Sequence, residues 1–102
     1  VRSLIAAAAL LAAVSTASGA NLVYERYTIE VEPGSVLRQE LSCPTEQLIS
    51  GGFGLEDIKG GPPNSLMLAA STFGSKGSWR VEFLNLHDAA LTVEFGITVL
   101  CD

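Results

Sequence analysis

Few residues in this 102-residue chain are equipped for chemistry: two cysteines, one histidine and eleven acidic side chains. Cys43 opens the stretch Cys43-Pro44-Thr45-Glu46-Gln47-Leu48-Ile49-Ser50-Gly51-Gly52-Phe53-Gly54, and Cys101 is the penultimate residue. A glycine cluster cradles phosphate only where a helix N-terminus behind it supplies oriented N–H groups. No Gly-Lys-Ser/Thr follows here and no helical periodicity flanks the glycines, so a bulge, a bend or the close approach of another part of the chain is expected instead. His87-Asp88 is the one candidate acid/base pair. Neighbours on an extended chain point apart, however, and no serine or cysteine nucleophile is marked by its context. Paired-carboxylate catalysis needs two carboxyl groups in one dry site. Glu56 and Asp57 are adjacent in a stretch that reads as a loop, whereas Glu30, Glu32, Glu40, Glu82 and Glu94 fall on outward strand positions. Calcium at Glu56, Asp57 and Asn64 would lack the Asp-x-Asp-x-Asp-Gly cadence of a dedicated loop. Two cysteines and one histidine do not make a closed zinc set, and no Cys-x-x-Cys occurs. The expectation is a protein without catalytic residues, cofactor or metal.

The scaffold around these residues begins after a leader. Residues 1–20 read as a secretory signal peptide: Arg2 as the single charge, an apolar run from Leu4 to Val14, then small residues, with Ser18 and Ala20 placing cleavage before Asn21. A transmembrane anchor would need roughly 20 apolar residues, about twice this run. Residues 21–102 are short enough for a single domain with a modest core. The formal net charge is −5, one unit more negative once Arg2 leaves with the leader. The acidic residues are scattered and no basic stripe exists, which argues against nucleic acid or an anionic membrane as partner. In an exported chain two cysteines most simply form one disulfide; two free thiols or an intermolecular pair are the alternatives. Closing the loop from Cys43 to Cys101 contributes about 4 kcal/mol in the chain-entropy model.

Period-two alternation predicts six strands. Residues 23–32 alternate cleanly from Tyr27 onward. Pro33-Gly34 makes a turn, and residues 36–42 carry Leu37 and Leu41 on one face with Arg38 and Glu40 on the other. A hairpin between these two strands is the expected pairing. Residues 47–53 form a short third strand, and Leu55–Ser65, with Gly60-Gly61-Pro62-Pro63-Asn64, reads as the longest irregular stretch. Residues 66–73 form a fourth strand and Gly74-Ser75-Lys76-Gly77 a hairpin turn. Residues 79–86 form a fifth strand, with Trp79, Val81 and Phe83 inward. In 91–101, Leu91, Val93, Phe95, Ile97, Val99 and Cys101 face in. Cys43 also continues the inward row of its strand, which favours a Cys43–Cys101 disulfide at one end of the core. The fold class expected is all-β: a small antiparallel sandwich or barrel of about six strands with one disulfide.

Several elements in order carry a resemblance: Cys43-Pro44, Gly51-Gly52-Phe53, Ser71, Gly77-Ser78-Trp79-Arg80-Val81, Asn85 and a closing Val99-Leu100-Cys101. Over about residues 27–102 the chain resembles small exported bacterial all-β domains of uncharacterised function. Their pattern runs Cys-Pro, Gly-Gly-Gly-Phe, Gly-Trp-x-Val, Asn, Val-x-Cys. The resemblance implies an extracytoplasmic β-domain with one disulfide and carries over no catalytic residue.

The function expected is therefore an exported, secreted or periplasmic, non-enzymatic structural or binding module with a protein or glycan partner. It is not expected to contact nucleic acid or to stay inserted in a membrane. The alternative is a small secreted enzyme inhibitor or minor hydrolase using the 55–65 loop. Binding residues concentrate on loops of rigid scaffolds, so Glu56, Asp57, Lys59 and Asn64 are the candidate recognition residues. Trp79 is expected in the core. Tyr24 is the better candidate for an exposed aromatic that stacks on a sugar.

Overall fold

A computed structural model describes residues 20–102. The leader expected over 1–20 lies, except for Ala20, outside the described residues. The chain runs β1 (Asn21–Val31), β2 (Val36–Ser42), β3 (Leu48–Lys59), one 3-10 turn (Pro63–Ser65), β4 (Leu66–Phe73), β5 (Ser78–Asn85) and β6 (Leu91–Cys101). The strands form two antiparallel three-stranded sheets, β1-β6-β3 and β2-β5-β4, packed face to face as a sandwich. The all-β expectation holds, with six strands and a Cys43–Cys101 disulfide.

The expected hairpin between the first two strands does not form. β1 pairs with β6 from Asn21↔Cys101 to Val31↔Leu91, and β2 pairs with β5 from Val36↔Leu84 to Ser42↔Ser78. Pro33-Gly34 does turn the chain: the Ser35 N–H donates to the Glu32 carbonyl at 3.1 Å, and Gly34 takes φ +73°. The turn's next backbone groups bond to β5. The Gly34 N–H donates to the Asn85 carbonyl and the Asn85 N–H to the Ser35 carbonyl. The chain therefore arches from one sheet to the other. Alternation marks which side chains face in, and that pattern is the same for a hairpin and an arch.

β3 also departs from expectation by running to Lys59. Its register against β6 shifts between Leu48 and Ser50 and again between Leu55 and Asp57. Ile49 and Glu56 are the extra residues. Each bulge reverses the alternation locally, so the strand does not read as one.

The core lies between the two central strands. β6 buries Leu91, Val93, Phe95, Ile97, Val99 and Cys101; β5 buries Val81 and Phe83. Phe83 meets Phe95 edge-on at 5.4 Å between ring centroids, and Phe53 meets Phe83 at 5.5 Å. Burying each such side chain stabilises by about 1.5–3 kcal/mol relative to exposure. The two ends are closed by different means. At one, the disulfide joins the residue after β2 to the last residue of β6. At the other, the buried Asn85 amide donates to the Val31 and Ala89 carbonyls while its oxygen accepts from the His87 N–H. These three bonds satisfy a polar side chain that would otherwise be costly to bury. They clamp the ends of β1 and β5 and the following loop together.

Candidate functional site

The four candidate recognition residues are not gathered on one loop. Glu56, Asp57 and Lys59 belong to β3, and only Asn64 lies outside a strand, exposed in the 3-10 turn. Glu56 sits at the second bulge, where its carboxylate accepts from the Arg26 guanidinium at 2.6 Å and from the Tyr24 hydroxyl at 2.9 Å. Burial first, and then this carboxylate, raise the Tyr24 hydroxyl above its ordinary pKa. Lys59 lies 3.6 Å from Glu94 and 4.0 Å from Asp57. These pairs are exposed and contribute little stability each. They cover the outer face of the β1-β6-β3 sheet with side chains already partnered to one another.

Tyr24 is exposed, as expected, but it has a packing task. A Cβ at Gly96 would come within 2.4 Å of its hydroxyl oxygen, so the ring lies directly across that glycine. A cross-strand aromatic covering a strand glycine repairs the gap the glycine leaves. Trp79 is half-buried against the core. Its indole N–H donates to the Ser71 hydroxyl at 2.9 Å and its ring meets Phe73 edge-on at 5.1 Å. A Cβ at Gly51 would fall 2.5 Å from the Trp79 ring. The glycine cluster after Cys43 thus includes one position where an indole occupies the space a side chain would need.

Two other readings change with the geometry. His87 and Asp88 do approach, at 3.6 Å, because the chain bends there instead of running extended. Asp88 is almost fully exposed, so the pair does not sit in a dry site. Glu40, expected on a solvated face, accepts from the Ser78 hydroxyl and from the hydroxyl and N–H of Ser75. The Ser78 bond is the main cause holding its carboxyl below the usual range. Among the described residues no three His, Cys, Asp or Glu side chains are placed to hold a metal. A shallow depression of ≈ 270 Å³ lies at the β1–β2 arch, lined by Ile29, Val31, Val36 and Leu37 with Glu30 and Arg38 among its rim.

The least finished surface lies where β3 and β4, the edge strands on one side, meet across the sandwich. Leu55 pairs with Phe95, Leu68 with Phe83 and Phe73 with Trp79, so all three belong to inward rows. They are nevertheless 46%, 47% and 57% exposed. Ile49 at the first bulge and Met67 on the outer face of β4 are also exposed on these two strands. Large apolar residues left exposed on inward rows at a sandwich edge point to an interaction site more than single outward-facing apolar residues do. Alternation does not mark these three as one inward set: Leu55 reads as the start of the irregular stretch, and simple alternation over 66–73 is ambiguous in facing and sets Phe73 with Met67, opposite Leu66 and Leu68. The slip between Leu68 and Ala70 is what returns Phe73 to the inward row.

Searches against protein-family models, curated proteins and solved structures find no match for this chain.

Proposed function

We propose that the protein is an exported, non-enzymatic binding module that holds a partner against its β3–β4 side. The observation that carries this reading is the exposure of Leu55, Leu68 and Phe73 on rows that face inward. A folded β-domain loses stability by leaving such residues wet, and a partner would remove that cost. The disulfide supports export, since such bonds persist in oxidising compartments. Among the described residues no helix is long and apolar enough to cross a membrane. Kinship with the small exported bacterial β-domains belongs to the same reading and rests on the sequence pattern alone.

A protein partner fits this surface better than a glycan. The rim is apolar, and the two aromatics suited to stacking on a sugar are engaged, Tyr24 over Gly96 and Trp79 between Phe73 and Gly51. The inhibitor or hydrolase reading draws less support, because residues 55–59 are paired into β3 and only 60–65 remain to serve as a loop.

A photo-crosslinking amino acid at Phe73, compared with one at Thr28 on the opposite outer face, tests the proposal in the native exported fraction. Capture at 73 and not at 28 is the expected result. Equal capture at both positions, or none at 73, overturns it.

A further inference from the structure

We infer that the partner of the β4 edge is a second copy of this chain: two β4 strands pair antiparallel about a twofold axis and join two three-stranded sheets into one of six. The inference rests on the binding-module reading and names the occupant of that surface.

β4 is the terminal strand of the β2-β5-β4 sheet. Alternate backbone N–H and C=O groups on its free side point away from β5, a ready template for another strand. Natural edges are usually blunted by charge, and three of the four edges here are. β1 carries Glu25, Arg26 and Glu30; β2 carries Arg38 and Glu40; β3 carries Glu56, Asp57 and Lys59. β4, Leu66–Phe73, carries no charge at all. The nearest carboxylate on the adjacent strand, Glu82 opposite Ala70, is held by Arg38 at 2.6 Å and Arg80 at 3.1 Å. A copy of β4 therefore meets no like charge on the strand it pairs with, although every copy of the chain is acidic overall.

The faces of the strand select a register. Leu66, Leu68, Ser71 and Phe73 face inward, while Met67, Ala70 and Thr72 face outward, because the register slips between Leu68 and Ala70. An antiparallel pair needs opposing residues on the same face. A twofold axis between Ala69 and Ala70 meets that need along the whole strand. Leu66 faces Phe73 of the second copy and Leu68 faces Ser71, all inward; Met67 faces Thr72, both outward. Moving the register by one residue in either direction sets inward residues against outward ones. In a regular strand this centre would mismatch every pair; the slip at Ala69 is what matches the faces on both sides of the axis. A contact of this symmetry is isologous and closes as a dimer instead of growing into a fibre. It covers Leu68 and Phe73, two of the three inward-row residues left exposed at this side.

Sedimentation of the protein recovered from the exported fraction tests the inference, at about 0.15 M salt so that net-charge repulsion is screened beyond about 8 Å. The expected result is a twofold rise in mass with concentration. Ala69→Lys, and separately Met67→Lys, are expected to abolish the rise without moving the melting temperature, since both positions are exposed. Val36→Lys, at an exposed outward position on the already charged β2 edge, is expected to leave it intact. A photo-crosslinker at Leu66 is expected to capture the peptide containing Phe73 of the second copy. A monomer at every concentration up to the solubility limit overturns the inference. So does a dimer unmoved by both lysines, or one crosslinked elsewhere. A monomer whose β4 amides become protected from exchange when the exported fraction is added overturns self-pairing while leaving the binding-module reading in place.

Discussion

The two long sides of the sandwich are built from the same kind of strand and finish differently at the rim. On the β1–β2 side the inward rows are Val23, Glu25, Tyr27, Ile29 and Val31 against Leu37, Gln39, Leu41 and Cys43, and none of these is more than half-exposed. The rows include polar groups. The Tyr27 hydroxyl donates to Glu25 at 3.0 Å while its ring packs on Phe95 at 5.3 Å, and Gln39 bonds to backbone. Burial first, then the Glu25 charge, push the Tyr27 hydroxyl far above its ordinary pKa. On the β3–β4 side the corresponding rim is Leu55, Leu68 and Phe73, which have no polar group to give to water. One side ends in residues that satisfy both core and solvent. The other ends in residues that satisfy only a core.

The two sides are therefore expected to respond differently to substitution. The largest effect is expected at the covalent tie of the closed side. Replacing both Cys43 and Cys101 with serine is expected to cost about 2–5 kcal/mol, read as a lowered midpoint in urea unfolding. The bond anchors the end of β2 to β6, and among the described residues no cysteine is free to replace it. An unchanged midpoint would show that β2 is held by packing alone. Next, Leu37→Ala removes a side chain only 5% exposed and is expected to cost about 2–5 kcal/mol. Leu68→Ala, the matching deletion on the open side, is expected to cost about 0.5 kcal/mol or less in the monomer. Equal losses at the two leucines would erase the distinction between the sides.

The closed side was the more legible in the sequence. Tyr27, Ile29, Val31, Leu37 and the unbroken row from Leu91 to Cys101 alternate without interruption, so their burial followed from the pattern, and the disulfide followed from the facing of its two cysteines. What alternation does not encode is the partner of a strand, which is why β1 and β2 read as a hairpin. The open side was obscured by its own geometry. Ile49, Glu56 and Ala69 are extra residues at three register slips, and each reverses the pattern within its strand. Glu56, Asp57 and Lys59 therefore read as loop. Asn85 is polar and buried, and only its three hydrogen bonds reveal why; nothing in its local sequence announces them.

A glycine substitution probes how the open side is shaped. Gly51→Ala places a methyl where the Trp79 ring lies and is expected to cost about 1–3 kcal/mol through overpacking. The ring is only partly buried, so displacing it from Gly51 is expected to increase its contact with solvent. Tryptophan emission should therefore shift to the red in the folded state, which a purely backbone effect of the glycine would not produce. Gly52→Ala, where the added methyl meets open space, is the control and should leave emission unchanged.

The smallest effect expected concerns the link between the two sides. Glu40 projects from β2, yet its carboxylate reaches across to hold Ser75, in the turn that joins β4 to β5, and Ser78, the first residue of β5. Its folded pKa is lowered, chiefly by the Ser78 hydroxyl. A depressed carboxyl stabilises the fold above its unfolded pKa, and that contribution is lost as pH falls through the folded value. The stabilisation should therefore be complete at neutral pH and fade on acidification below the ordinary glutamate range. Glu40→Gln should flatten that acid limb and lower stability slightly at pH 7. It should also speed amide exchange at 75–78 while leaving the β1–β2 arch untouched. If the arch loosened as well, the two sides would be one cooperative unit, and the open rim would have to be explained by something other than a locally independent edge.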